Sequence, residues 1–223
     1  MALMWYAVLA ALCFSAQGNP TTRDLALDAF LAREEVVYFR QQSVVYSSAL
    51  GTFLSRFDTT LPSFVDSIIR KLQALNINTE EIAAIEGHFN ASFQSITKGV
   101  QIVDTELQNV TPTTSAIITS IDSTDWVSLR EQNANLISQI NIVATTYDET
   151  YSQWLVSKEQ QENNLNVILT GQPSVEIASV LADWESVKNF LFNEGFVIAD
   201  ENQIFKVRGN KSLEAIKIIL DQV

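Results

Sequence analysis

The chain has 223 residues, of which 47% are hydrophobic, and its 26 acidic and 14 basic side chains give a formal net charge of −12. This length and apolar content suit one domain with a core of its own. Such a negative surface repels phosphate backbones and anionic lipid, so we expect neither nucleic acid nor a charged membrane as a partner. The same charge keeps a secreted protein soluble.

The first segment has the features of a secretory signal. Residues 1–18 carry no charged side chain, and their apolar run is too short to span a bilayer as a stable helix. The run ends in Ala16-Gln17-Gly18, with small residues where signal peptidase cleaves. We therefore expect residues 1–18 to be a signal peptide and 19–223 to be a single secreted helical domain, without stable membrane insertion after cleavage. Cleavage would remove Cys13, the only cysteine, and leave a domain that contains no disulfide.

Two helices are predicted in the first third of the mature chain. The first covers 22–57, and the pattern breaks at 58–60 before Pro62, which is tolerated at a first helical position, starts a second helix that reaches Leu75. The side of the first helix predicted to be buried is an apolar series at spacings near three and four: Leu27, Phe30, Leu31, Val37, Tyr38, Val44, Val45, Leu54 and Phe57.

Two long helices form the predicted centre of the fold. The Asn-x-x-Glu sequence from Asn78 to Glu81 resembles a capping box and starts a helix over 79–110. Its apolar series is Ile82, Ile85, Phe89, Phe93, Ile96, Val100, Val103, Leu107 and Val110. The stretch from Ser123 to Thr170 contains neither glycine nor proline and has the same spacing. We expect these two helices to pack antiparallel with the heptad-like spacing of a coiled coil.

The last part of the chain is punctuated by glycine and proline. After 171–173, a helix is predicted over 173–193, with Gly195 as its end. Two short apolar runs flanking a polar turn favour a small β-hairpin over 196–208, and a final helix follows over 212–223. The predicted fold class is therefore all-α, an elongated antiparallel bundle of five to six helices.

Polar residues interrupt the stripe of the long central helix. They are Asn133, Lys158 and Glu162, and the last two follow Trp154. The simpler interpretation is that they fix helix register or are partly exposed. The functional interpretation is a cavity between helices, lined by these four residues, that accepts an apolar ligand such as a lipid or steroid.

Three sequons favour a glycoprotein. They begin at Asn90, Asn109 and Asn210, and we expect Pro112, which follows the second sequon, to reduce the use of that site.

Residues that perform catalysis or bind metals are sparse. His88 is the only histidine, and its Glu-x-His context lacks the Glu-x-x-His spacing and second copy of a di-iron bundle. No further nitrogen or sulfur ligands are present for zinc, and there is no Gly-x-Ser-x-Gly elbow. Adjacent carboxylates such as Glu80 and Glu81 fall on helix faces that we expect to be solvated. We therefore expect no enzyme, no metal site and no cofactor.

The leading functional hypothesis is an extracellular factor that binds another protein or a receptor through an exposed helix face. The alternative is a carrier that sequesters a small apolar ligand inside the bundle. A third hypothesis is a structural component of a secretion that self-associates through its heptad-like stripes. The sequence leaves the oligomeric state and the identity of the partner open.

Overall fold

A computed structural model describes the backbone of residues 20–223 and the side chains from residue 24 onward. The signal peptide predicted over 1–18, with Cys13, lies outside the described residues. Four long helices contain nearly all of the described backbone: α1 (Pro20–Ala74), α2 (Thr79–Asp122), α3 (Trp126–Ile168) and α4 (Ser174–Leu220). At 1.5 Å per residue, α1 is ~80 Å long and the others ~65–70 Å. No helix in this part of the chain combines the length and apolar character needed to cross a membrane.

Short turns connect the helices and reverse the chain each time. The Asn78 side chain accepts a hydrogen bond from the backbone N–H of Glu80 at 2.9 Å, and Asp125 accepts one from Ser128 at 3.1 Å. These bonds satisfy N–H groups that have no partner inside the first turn of α2 and α3. Gly171, with φ +83°, supplies the left-handed conformation in the turn before α4. Consecutive helices are therefore antiparallel.

The four helices form a ring around one continuous core. Packing is most extensive between α1 and α4 and between α2 and α3, less so between α1 and α2, and least between α3 and α4. The largest fully buried side chains include Trp184, Tyr46, Phe39 and Phe205, and the rings of the last two lie 5.0 Å apart. The α3–α4 side is thus the open side of the bundle.

The predicted count of five to six helices is wrong, and one reason is that prolines do not end helices here. Pro62 lies inside α1 and Pro112 inside α2, both on exposed positions. Phe57, Leu61 and Val65 are buried at four-residue spacing on either side of Pro62. Burial of this continuous stripe outweighs the backbone hydrogen bond that a proline removes, which costs about 3 kcal/mol.

The hairpin predicted over 196–208 is also wrong, because α4 continues without interruption through Gly195 to Leu220. The buried residues of this segment have helical spacing, at positions 198, 202, 205 and 209. The prediction of two short strands overlooked this spacing. Gly209 belongs to this stripe, and a Cβ atom there would lie 2.8 Å from Cδ1 of Ile140 on α3 and 3.3 Å from Cε2 of Phe39 on α1. It is a close-packing glycine rather than a helix end.

The stripe predicted for the first half of α1 exists, but most of it faces outward. Its exposed members are Leu27, Phe30, Leu31, Tyr38, Val44 and Val45, with exposed fractions of 41–56%. A second stripe is buried instead, consisting of Ala32, Val36, Phe39, Ser43, Tyr46 and Leu50. Both stripes step by three and four residues, so periodicity alone cannot tell which one faces the core. Of the predicted set only Phe57 is buried.

The α2 stripe predicted from the sequence is confirmed. All nine residues are buried except Phe93, which is half-buried. The α3 stripe is buried at Val143 and at Leu165 but becomes more exposed between them. That interval contains Lys158 and Glu162, two of the three polar residues that interrupt the predicted stripe, whereas Asn133 precedes it.

Candidate ligand-binding site

A groove separates α3 from α4 halfway along the bundle. On α3 its wall consists of Tyr151, Trp154, Leu155 and Lys158, which follow one another at i, i+3, i+4 and i+7. On α4 the facing wall consists of Glu185, Lys188, Asn189, Leu191, Phe192, Gly195, Phe196 and Ala199. The groove encloses about 340 Å³. Two amphipathic stripes therefore face each other here without closing on each other.

The groove exposes large apolar side chains to water. Phe192 is 71% exposed and Phe196 68%, while Tyr151 and Leu155 are 49% and 44% exposed. Scattered exposed apolar residues are ordinary, but a contiguous group on two facing helices is characteristic of a binding surface.

A smaller cavity of about 70 Å³ lies deeper in the bundle and adjoins the groove. All four helices line it, and its walls are almost entirely apolar: Leu50, Phe53, Ile96, Gly99, Val100, Val103, Tyr147, Thr150, Tyr151, Trp154, Leu191, Gly195 and Ile198. Tyr151, Trp154, Leu191 and Gly195 line both spaces. The groove is thus the outer part of a site whose inner part reaches the core.

Gly195 marks the junction of the two spaces. A Cβ atom added to Gly195 would meet no heavy atom within 4 Å, so the space beside it is open. Since this glycine is helical and has no positive φ, the backbone does not require it. Gly195 lines both spaces, and its small size leaves the region beside it unfilled.

Two ion pairs join α3 to α4, one near each end of the groove. Lys188 Nζ lies 3.4 Å from Glu162 Oε1, and Lys206 Nζ lies 3.0 Å from Asp148 Oδ1. Asp148 and Glu162 are 14 residues apart, a rise of ~21 Å along α3. The α3 residues that line the groove all fall between these two carboxylates.

The lysines at the groove differ in their partners. Lys188 contacts Glu162 and also Glu185, whose Oε1 is 2.5 Å away. Burial by itself would lower the pKa of Lys188. The hydrogen bond to Glu185 and the charges of both carboxylates outweigh this effect, so the pKa of Lys188 is raised overall. Lys158 is half-buried and forms no ion pair with any carboxylate of residues 24–223.

Two tyrosines near the inner cavity stay neutral at physiological pH. Burial, together with the neighbouring Tyr151 and Asp148, raises the pKa of Tyr147 to about 12. Burial raises the pKa of Tyr46 well above its usual range, and its hydroxyl has no hydrogen-bond partner among the described residues. The wall of the inner cavity is therefore uncharged.

The structure brings together three of the four residues predicted for a cavity. Trp154 and Lys158 line the groove, and Glu162 lies at its edge through its ion pair with Lys188. Asn133 is not part of this site, because the 21 residues between it and Trp154 correspond to ~31 Å of helix. It is half-buried, and its Oδ1 has no partner among the described residues.

Sequence reasoning missed the α4 wall. The hairpin predicted over 196–208 placed Phe196 in a strand, although Phe192, Phe196 and Ala199 have helical spacing. Extending the helical pattern through Gly195 would have found this wall, because a single glycine costs a helix only about 1 kcal/mol.

The remaining candidate positions are on the surface. Asn90, Asn109 and Asn210 are exposed on helices, and glycosylation there stays a prediction. His88 is exposed in a depression between α2 and α3 that is lined mainly by serine and glutamine. Among the described residues, no three histidine, cysteine or acidic side chains are grouped closely enough to hold a metal ion.

The described residues define an antiparallel four-helix bundle whose α3–α4 side is open. Comparison with protein families, with curated proteins and with solved structures finds no match to this chain. The groove and its chemistry are therefore the basis for a functional assignment.

Proposed function

We propose that this protein binds a small apolar ligand in the α3–α4 groove and carries or sequesters it in an extracellular fluid. The observation that supports this proposal is the continuity of the groove with the inner cavity. The volume of the groove lies within the ~300–1,000 Å³ typical of small-molecule sites. The lining of the groove combines aromatic and aliphatic side chains with a few polar groups.

The exposed apolar area supplies a driving force of useful size. A ligand that removes ~400 Å² of apolar surface from water, counted over groove and ligand, contributes roughly 10 kcal/mol at about 25 cal/mol per Å². Loss of translational and rotational freedom subtracts about 4 kcal/mol or more. The remainder corresponds to a dissociation constant of tens of micromolar, which further contacts in the inner cavity would lower.

Two measurements test the proposal. Native mass spectrometry and solvent extraction of protein purified from its secreted form should show a bound apolar molecule. A fluorescent apolar probe should bind the emptied protein and be displaced by that molecule. Protein that is consistently empty and does not bind the probe would refute the proposal.

Gly195→Leu locates the site. Its side chain would fill the open passage between groove and cavity, and we expect probe affinity to fall at least tenfold while the helical content is retained. Gly51→Leu is the matched control, because Gly51 is also helical, is exposed on α1 and would place its Cβ in open space away from the groove. Equal loss of binding in both variants would place the ligand elsewhere.

A second candidate is recognition of another protein, which was the leading hypothesis from the sequence. The exposed stripe of α1, which was predicted from the sequence to be buried, is the helix face that suits it. The exposed positions 31, 38 and 45 recur every seven residues, a spacing that suits packing against another helix. Light scattering at high concentration separates self-association from binding to a different protein. If Val44→Glu and Leu31→Glu leave assembly and partner binding unchanged, this face is not the contact.

A further inference from the structure

We infer that the ligand of the α3–α4 groove is a single-chain amphiphile with a carboxylate head group, and that Lys158 binds this head group. The inference rests on the proposed binding function of the groove and adds the chemical class of the ligand. Three features of the site support it: a lysine that forms no ion pair, a fixed polarity along the groove and the small size of the inner cavity.

Lys158 forms no ion pair within the described residues, although the chain is rich in carboxylates. Acidic residues outnumber basic ones by 26 to 14, yet Lys158 has no carboxylate partner in the described part of the chain. Lys188 and Lys206, which also lie on this side of the bundle, are both paired with carboxylates. A half-buried cation has lost part of its hydration, and an anion bound beside it would compensate for that loss.

The position of Lys158 gives the groove a polar end and an apolar end. Lys158 lines the outer groove but not the inner cavity, whereas Trp154 and Tyr151, one and two turns earlier on α3, line both. A head group at Lys158 therefore directs its chain over Trp154, past Gly195 and into the bundle. No titratable side chain other than Tyr147 and Tyr151 lines the inner cavity.

The size of the inner cavity favours a flexible chain over a fused ring system. An engineered apolar cavity of roughly 150 Å³ accepts a benzene molecule. The cavity here has about 70 Å³, which suits the end of a hydrocarbon chain and excludes a steroid nucleus. A single acyl chain can occupy the groove with its length and the cavity with its tip.

The experiment compares an acid with its uncharged ester. cis-Parinaric acid and its methyl ester have the same fluorescent chain and differ in head-group charge. We expect the wild-type protein to bind the acid about tenfold more tightly than the ester, which is the size of a charge-assisted hydrogen bond. Lys158→Met should weaken acid binding to the level of the ester, so that the variant no longer distinguishes the two probes.

Lys98→Met is the matched control. Lys98 is exposed on α2 and lines neither the groove nor the inner cavity. Its replacement by methionine removes the same charge from the chain as Lys158→Met. Equal binding of acid and ester by the wild type would overturn the head-group inference while leaving the carrier function in place. An equal effect of both lysine variants on the acid would also overturn it, since the preference would then reflect net charge. Absence of binding by both probes would refute the carrier function itself.

Discussion

Replacement of Gly99 by alanine should destabilise the bundle, although alanine is the better helix former. Gly99 of α2 packs directly against Thr150 of α3, and a Cβ atom there would overlap Oγ1 and lie 2.8 Å from Cγ2 and 2.9 Å from Cβ of Thr150. Ordinary carbon contacts are about 3.5–4.0 Å long. Rotation of the Thr150 side chain moves Oγ1 and Cγ2 but not Cβ, so the two helices have to separate.

The size of the effect follows from two opposing contributions. Overpacking a core costs about 1–3 kcal/mol, and the severity of this contact places Gly99→Ala at the upper end. Helix propensity returns about 1 kcal/mol, so we expect a net loss of about 2 kcal/mol. Gly51→Ala provides the matched control, because its Cβ meets nothing within 4 Å, and we expect it to stabilise the protein by about 0.5–1 kcal/mol.

Urea unfolding followed by far-UV circular dichroism measures both variants. The double variant Gly99→Ala with Thr150→Gly adds a Cβ atom on α2 and removes the one that opposes it on α3. It should recover part of the loss, which a double-mutant cycle records as a coupling energy. If Gly99→Ala were as stable as Gly51→Ala, the close approach of α2 and α3 would be absent in solution.

Two further predictions concern Tyr46, which is buried, and Tyr147, which is half-buried. Tyr46→Phe removes a buried hydroxyl that has no hydrogen-bond partner, so we expect the free energy of unfolding to rise by about 1 kcal/mol. The control Tyr38→Phe, at an exposed position, should change it by no more than about 0.5 kcal/mol. A decrease for Tyr46→Phe would show that the hydroxyl of Tyr46 has a hydrogen-bond partner in solution. The raised pKa of Tyr147 means that the folded state holds this proton more tightly than the unfolded state. Its contribution is therefore complete below the ordinary tyrosine pKa of about 10 and is lost as pH rises through about 12. Over this pH range, the urea midpoint of the wild type should fall more steeply than that of Tyr147→Phe. Parallel plots of urea midpoint against pH would contradict a raised pKa of Tyr147.

The fold was most predictable where one apolar stripe dominated a helix. On α2, the predicted residues are buried because the helix has a single strong apolar face that α1 and α3 cover together. On α1 two apolar stripes compete, and only contact with α4 decides that Phe39 and Tyr46 face inward while Tyr38 and Val45 face outward. Local sequence contains no information about which neighbour will cover a stripe.

Helix ends were less predictable than helix faces. Proline and glycine are common at helix ends, yet long-range packing keeps Pro62 and Gly195 inside continuous helices. For the same reason, the sequence predicted only the α3 wall of the candidate site. The polar break at Lys158 could be read from α3 alone, but the groove also needs Phe192 and Phe196, whose helix was predicted to stop.

The pairing of α1 with α4 has a consequence for the order of events during synthesis. Roughly 100 residues separate the end of α1 from the start of α4. At about 5–20 residues per second, the ribosome needs ~5–20 s to produce them. The hairpin of α2 and α3 joins neighbours in sequence and can form early, whereas α1 has to wait for its main partner. Although α2 can pack on α1 during that interval, the part of the buried stripe of α1 that α4 covers stays exposed. The nascent chain should therefore be most prone to aggregation until α4 emerges.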